Sequence, residues 1–162
     1  MNEHPAPALT RRDTERHILV AVDESDNAKR AVMYLADFFG DYRNVFITLL
    51  TILPEPEEDY FADDKEKEDW LREKKRNLEE CLSLYRGILL DAGFKEDRLT
   101  TQLLIRPCSS IGDAILEEQD KLRCCIVVVG RRGLSHNEEF IFGSTSSRIL
   151  HQAKNCAVMV VE

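Results

Sequence analysis

Apolar positions along this chain follow two rhythms. Continuous apolar runs occupy residues 18–22, 45–53, 124–129 and 157–161. Runs of this length with no charged residue predict strands buried on both faces, as in a parallel sheet. Residues 99–105 alternate imperfectly and predict a further strand, stopped by Pro107. Between the runs the spacing turns helical. Ala28, Val32, Leu35, Ala36 and Phe39 fall on one face, and Gly40 follows. Residues 70–92 carry Leu71, Leu78, Leu82, Tyr85, Leu89 and Ala92 on one face, with charge on the other, and Gly93 ends them. Ser110-Ile111-Gly112-Asp113 resembles a capping box before Ala114, Ile115 and Leu116, in a helix reaching about Lys121. Residues 144–153 give a last helix, with Ile149 and Ala153 facing inward. Strand and helix thus alternate from a first strand to a fifth, which implies a parallel sheet covered on both sides. No internal repeat is visible, so the chain reads as one domain over residues 16–162.

Two segments fall outside this rhythm. Residues 1–15 are polar with two prolines and are expected to be a disordered tail. Residues 55–69 hold nine carboxylates and are expected to form an acidic loop leading into a helix. They carry no EF-hand spacing, so solvation is preferred to metal binding.

Length and charge narrow the function. The 162 residues suffice for one sizeable core. A net charge of −8 argues against nucleic acid and against anionic membrane surfaces. No secretory pattern and no bilayer-spanning run occurs, so a soluble, cytoplasmic protein is expected. The cysteine count is five and no Cys-x-x-Cys is present, which suits reduced thiols.

The chemistry concentrates in residues 130–145. The run ending in Val129 gives way to Gly130, Arg131, Arg132 and Gly133, and later to Gly143, Ser144 and Thr145 at the start of a helix. Glycines let backbone N–H groups approach a ligand, and a helix N-terminus offers unpaired donors and a positive dipole end. Ser144 and Thr145 add hydroxyl donors, and Arg131 and Arg132 can offset charge. These are the parts of a phosphate cradle. Asp23 stands at the carboxyl edge of the first strand, where open parallel sheets bind ligands. The plainer role is that Asp23 or Ser25 caps the next helix, and the two roles are compatible, since Ser25 or Asp26 can cap while Asp23 faces a ligand.

The spacing of Gly130, Gly133, Gly143 and Ser144 resembles the ATP-binding signature of the universal stress protein family. The stretch from His17 to Ser25 resembles that family's opening strand and its Asp-x-Ser, and residues 157–162 resemble its last strand. The resemblance runs from about Arg16 onward. It implies a flavodoxin-like, Rossmann-like doubly wound α/β sheet of five parallel strands in the order 3-2-1-4-5. It implies that Asp23 and the backbone near Ile52 contact the adenosine of a bound nucleotide. Gly130, Arg131, Gly133, Gly143, Ser144 and Thr145 then hold the phosphates. The implied cofactor is ATP, with or without Mg²⁺, acting as a conformational ligand with slow hydrolysis at most. A homodimer through the last strand is implied as well. A dimeric interaction module of the same fold that works without ATP is the alternative. One departure is noted: where the family often has a glycine before the proline, Ile105 or Arg106 stands here.

Other chemistries fit less well. No Gly-Lys-Ser/Thr marks a P-loop, and no Gly-x-Gly-x-x-Gly follows the first strand. A receiver domain would place a phosphorylatable Asp where Arg106-Pro107 stands. No Gly-x-Ser-x-Gly elbow occurs. None of His4, His17, His136 and His151 belongs to a metal or triad pattern, so no catalytic residue and no metal ligand is assigned.

Overall fold

The computed structural model describes residues 16–42, 44–131 and 144–162. Five parallel strands form one sheet in the order β3-β2-β1-β4-β5. They are β1 (Arg16–Ala21), β2 (Val45–Pro54), β3 (Leu99–Arg106), β4 (Ile126–Gly130) and β5 (Ala157–Val161). The helices between them are α1 (Asp26–Phe39), α2 (Asp64–Asp91), α3 (Ile111–Leu122) and α4 (Ser144–Gln152). This is the doubly wound arrangement that the alternation and the resemblance implied. The sheet order reverses between β1 and β4, which pair in register from Ile18 with Ile126 to Ala21 with Val129.

Each face of the sheet has its own core because side chains alternate along a strand. Ile18, Val20, Ile47, Leu49 and Val128 pack against Val32 and Leu35 of α1 and Leu82, Tyr85 and Leu89 of α2. Leu19, Leu50, Val127 and Val129 point the other way, to Ile115 of α3 and Ile149 of α4. Among the described residues no helix is long and apolar enough to cross a membrane.

Three local features depart from the pattern reading. Helix α2 begins at Asp64, not near Trp70. Asp63 Oδ1 accepts the Glu66 N–H at 2.8 Å, and Glu66 Oε2 accepts the Ala62 N–H at 2.9 Å. That reciprocal cap starts the helix inside the acidic stretch, where no apolar periodicity announces it. Gly40 does close α1, but in right-handed conformation. A Cβ there would lie 2.7 Å from the carbonyl oxygens of Ala36 and Ala92, so glycine is needed for close approach. In α3, Ser110 Oγ caps the Asp113 N–H at 3.3 Å, while the Asp113 carboxylate reaches α4.

Candidate functional site

The carboxyl ends of β1, β2 and β4 and the first turns of three helices enclose a pocket of about 110 Å³. Its lining includes Val22, Asp23 and Ser25 after β1, Asn27 and Ala28 of α1, Leu50 and Ile52 of β2, and Ile111 and Ile115 of α3. Val129 and Gly130 of β4 and Thr145 of α4 complete it. A larger groove of about 610 Å³ lies between α2 and β3, lined by Lys75, Glu79, Arg86, Thr101 and Ile105 among others. It sits on an edge strand, away from the point where the sheet order reverses, and the smaller pocket is the better candidate.

The loop carrying Asp23 is held through its backbone. Val22 N–H donates to Leu50 O at 2.9 Å, and Thr51 Oγ1 donates to Val22 O at 2.9 Å. Tyr85 of α2 donates its hydroxyl to Asp23 O at 2.8 Å, and Cys81 places its thiol 3.4 Å from the same oxygen. Burial raises the Tyr85 phenol, and the neighbouring Cys81, Asp23 and Asp26 raise it further, so it remains a donor at neutral pH. With its main chain fixed, Asp23 keeps an exposed carboxylate, whose Oδ1 accepts the Ser25 N–H at 2.9 Å. Ser25 is the cap of α1, accepting the Ala28 N–H at 3.2 Å. Ser25 thus caps the helix, while Asp23 stands in the lining of the pocket.

Gly130 sits where β4 meets α1. A Cβ on it would lie 2.6 Å from Asn27 O and 3.1 Å from Ala28 N. Its lack of a side chain therefore lets the N-terminus of α1 close against the end of β4, a packing role beside any contact to a ligand. On the opposite face a Cβ on Gly112 would lie 2.9 Å from Arg148 Cβ and 3.3 Å from Thr145 O. So α3 and α4 meet closely at their N-terminal turns. Arg148 locks that contact with a two-pronged pair to Asp113, Nε to Oδ1 at 2.7 Å and Nη2 to Oδ2 at 2.9 Å. The guanidinium beside Asp113 holds its carboxyl below the usual carboxylate range. The pair ties the first turn of α3 to the second turn of α4.

The structure thus brings Asp23, Ile52, Gly130 and Thr145 around one pocket. Arg131 goes elsewhere: its Nη1 pairs with Glu162 Oε1 at 2.7 Å, and its N–H donates to Val161 O at 2.7 Å. Ser144 opens α4. Residues 1–15, Arg132, Gly133, His136 and Gly143 lie outside the described residues. Pattern reading missed Thr51, Tyr85 and Cys81 as supports of the loop. Thr51 had one signal, a hydroxyl inside an apolar strand, whereas Tyr85 looked like any other core position on its helix.

The model of the universal stress protein family matches residues 15–162. The structure of the universal stress protein UspA from Lactobacillus plantarum is similar over 91% of this chain and 97% of its own, with 19% identity and a TM-score of 0.74. A universal stress protein from Archaeoglobus fulgidus in complex with dAMP matches over 92% and 99%, with 22% identity and a TM-score of 0.60. A universal stress protein family protein from Arabidopsis thaliana with AMP bound matches over 90% of each chain, with 20% identity and a TM-score of 0.57. No curated protein sequence matches the chain.

Proposed function

Because this chain belongs to the universal stress protein family, we propose that it binds an adenine nucleotide, ATP or AMP, in the pocket between β1 and β4. The nucleotide acts as a conformational ligand. The observation that carries this reading is the convergence of Asp23 from the loop after β1, Ile52 from β2, Gly130 from β4 and Thr145 from α4 on one pocket at the reversal of the sheet. The nucleotides held by relatives of the same fold support it. In this reading the apolar lining, Val22, Leu50, Ile52, Ile111 and Ile115, takes the adenine ring. The Asp23 carboxylate accepts from the ribose hydroxyls. Gly130, Gly133, Gly143, Ser144 and Thr145 hold the phosphates at the start of α4. Arg131 answers phosphate charge only by leaving Glu162. Among the described residues no cluster of carboxylates or imidazoles could hold a metal ion, so Mg²⁺ would enter with the triphosphate.

The test is calorimetric titration of nucleotide-stripped protein with ATP, AMP and GTP, with and without Mg²⁺. Adenine nucleotides are expected to bind and GTP to bind more weakly, and Asp23→Ala is expected to lower the affinity about tenfold, the loss of one good polar contact. Absence of binding by any nucleotide would refute the reading.

A dimer through β5 is part of the same proposal. This strand is at the sheet's edge, and its residues Val158, Met159 and Val160 are only partly buried. An apolar edge strand invites pairing with a second copy. A monomer in light scattering at micromolar concentration would count against it.

A further inference from the structure

The outer side of α1 carries an aromatic strip that the fold does not bury. The inner face of this helix is filled by Ala28, Ala31, Val32, Leu35 and Ala36. On the other side Met33, Tyr34, Phe38 and Tyr42 are 47–57% exposed. Nine large apolar side chains are exposed among the described residues, and four of them fall within residues 33–42. Exposed apolar residues scattered singly need no explanation, whereas a contiguous group marks a surface that something covers. The rings also meet one another. Tyr34 stacks on Phe38 at 5.7 Å with the planes 10° apart, Phe38 meets Phe39 at 5.2 Å, and Phe39 meets Tyr42 at 5.8 Å. Phe39 roots the strip in the core.

The strip ends where the chain enters the sheet. Arg16 opens β1, and its N–H donates to Asn44 O at 2.8 Å. Asn44 follows Tyr42 by two residues, a span of about 7 Å at most, and the Tyr42 N–H donates to Phe39 O at 3.0 Å. The residues before Arg16 therefore leave the domain beside the C-terminal end of α1.

The sequence before Arg16 holds one stretch suited to such a surface. Pro5-Ala6-Pro7-Ala8-Leu9 has no charge and no hydrogen-bonding side chain. Proline favours the extended polyproline form, and segments of that form bind exposed aromatic rings with little conformational freedom left to lose. The spacer, residues 10–15, spans about 20 Å when extended. From Phe39 back to Tyr34 the helix rises only about 7.5 Å, so the apolar stretch has the length to lie along the strip. Charge agrees with this placement. The spacer carries Arg11 and Arg12, and the exposed carboxylates Asp37 and Asp41 are interleaved with the rings.

We propose that the strip formed by Tyr34, Phe38 and Tyr42 is a docking surface for residues 5–9 of the same chain. Leu9, nearest the spacer, lies against Tyr42, and the two prolines lie on the rings of Phe38 and Tyr34. Arg11 and Arg12 stand beside Asp37 and Asp41. The contact removes an apolar surface from water and ties the segment to its own domain. It is independent of the nucleotide reading, because the strip is at the other end of α1 from the pocket.

The experiment measures backbone relaxation and proton–proton Overhauser contacts on the isotope-labelled full-length chain. Amide order parameters of about 0.8 are expected at Ala6, Ala8 and Leu9, near the value of a rigid backbone. Contacts from the Pro7 ring and the Leu9 methyls to the rings of Phe38 and Tyr42 are expected with them. Tyr34→Ser combined with Phe38→Ser changes two exposed side chains, so this variant should fold, and far-ultraviolet circular dichroism checks it. In it the three order parameters should fall below about 0.6, the flexible range. Pro7→Ser combined with Leu9→Ser leaves the domain untouched and should release the segment in the same way. The proposal is overturned by order parameters below about 0.6 in the parent, which would leave the strip to a foreign partner. It is equally overturned by values that neither variant changes. Contacts seen only between labelled and unlabelled copies in a mixed sample would also overturn it, by making a second copy the occupant.

Discussion

Replacing Gly130 by alanine separates two reasons for a glycine at the end of β4. If it served only to admit a ligand, Gly130→Ala would leave the free protein untouched. The geometry predicts otherwise. The added Cβ would lie 2.6 Å from Asn27 O and 2.7 Å from Asn27 C, where ordinary contact begins at 3.4 Å. About 0.8 Å must be found by moving the first turn of α1 away from β4, and every obstructing atom is backbone. Overpacking of this kind costs about 1–3 kcal/mol, toward the upper end when nothing flexible can yield. Against it stands the stabilisation of about 0.4–1 kcal/mol that alanine gains by restricting the unfolded chain. The net expectation is a loss of about 2 kcal/mol. For a chain of this size each kcal/mol lowers the melting temperature by about 2–4 °C, so the shift should be about 4–8 °C. Thermal unfolding followed by circular dichroism, with guanidinium titration showing an unchanged slope, measures it without nucleotide present. A variant as stable as the parent would refute the packing argument and return Gly130 to the ligand alone.

Two further expectations follow from polar contacts inside the sheet. Thr51→Val keeps the shape of the side chain but strips Val22 O of its donor in a buried place, and should cost about 1–2 kcal/mol; an unchanged guanidinium midpoint would contradict it. His17 is half-buried, edge-on to Phe46 at 4.9 Å, with Nε2 2.7 Å from Thr48 Oγ1. Burial lowers its pKa below 6.5, against a smaller opposing effect of its bond to the Leu122 backbone. Its contribution to stability is therefore complete above about pH 6.5 and is lost as pH falls through the depressed native value, because the unfolded chain takes up the proton first. Unfolding midpoints measured from neutral to mildly acidic pH should fall more steeply for the parent than for His17→Gln, and equal slopes would exclude the assignment.

Strand content was legible because burial on both faces leaves near-continuous apolar runs at the centres of β1, β2 and β4. Asp23 and Gly130 could be placed together once the sheet order was granted, since both end strands that become neighbours. What stayed hidden depends on partners distant in sequence. Tyr85 lies 62 residues from the carbonyl it holds, and nothing in its helical spacing separates it from Leu82 or Leu89. Gly40 reads as a helix stop by position, yet its necessity comes from the end of α2 pressing against it. Arg131 reads as a phosphate partner from its neighbours in the chain, while Glu162, 31 residues away, holds it. The start of α2 was hidden for the opposite reason. It is set by a local exchange between Asp63 and Glu66, whose charges looked like solvated loop.

Helix α2 is uneven in what anchors it. Its buried residues are Leu78, Leu82, Tyr85 and Leu89, all in its second half. The first turns have the cap at Asp63, an exposed pair between Asp69 and Arg72, and the tilted contact of Trp70 with Phe61. Exposed pairs of that kind add little, and a helical segment this short is marginal without a packed face. That unevenness divides the rod into two parts expected to open separately. The inner part, which Tyr85 ties to the loop of Asp23, should exchange its amides only when the domain opens. The outer part should exchange its amides and meet proteases at a free energy far below that of global unfolding.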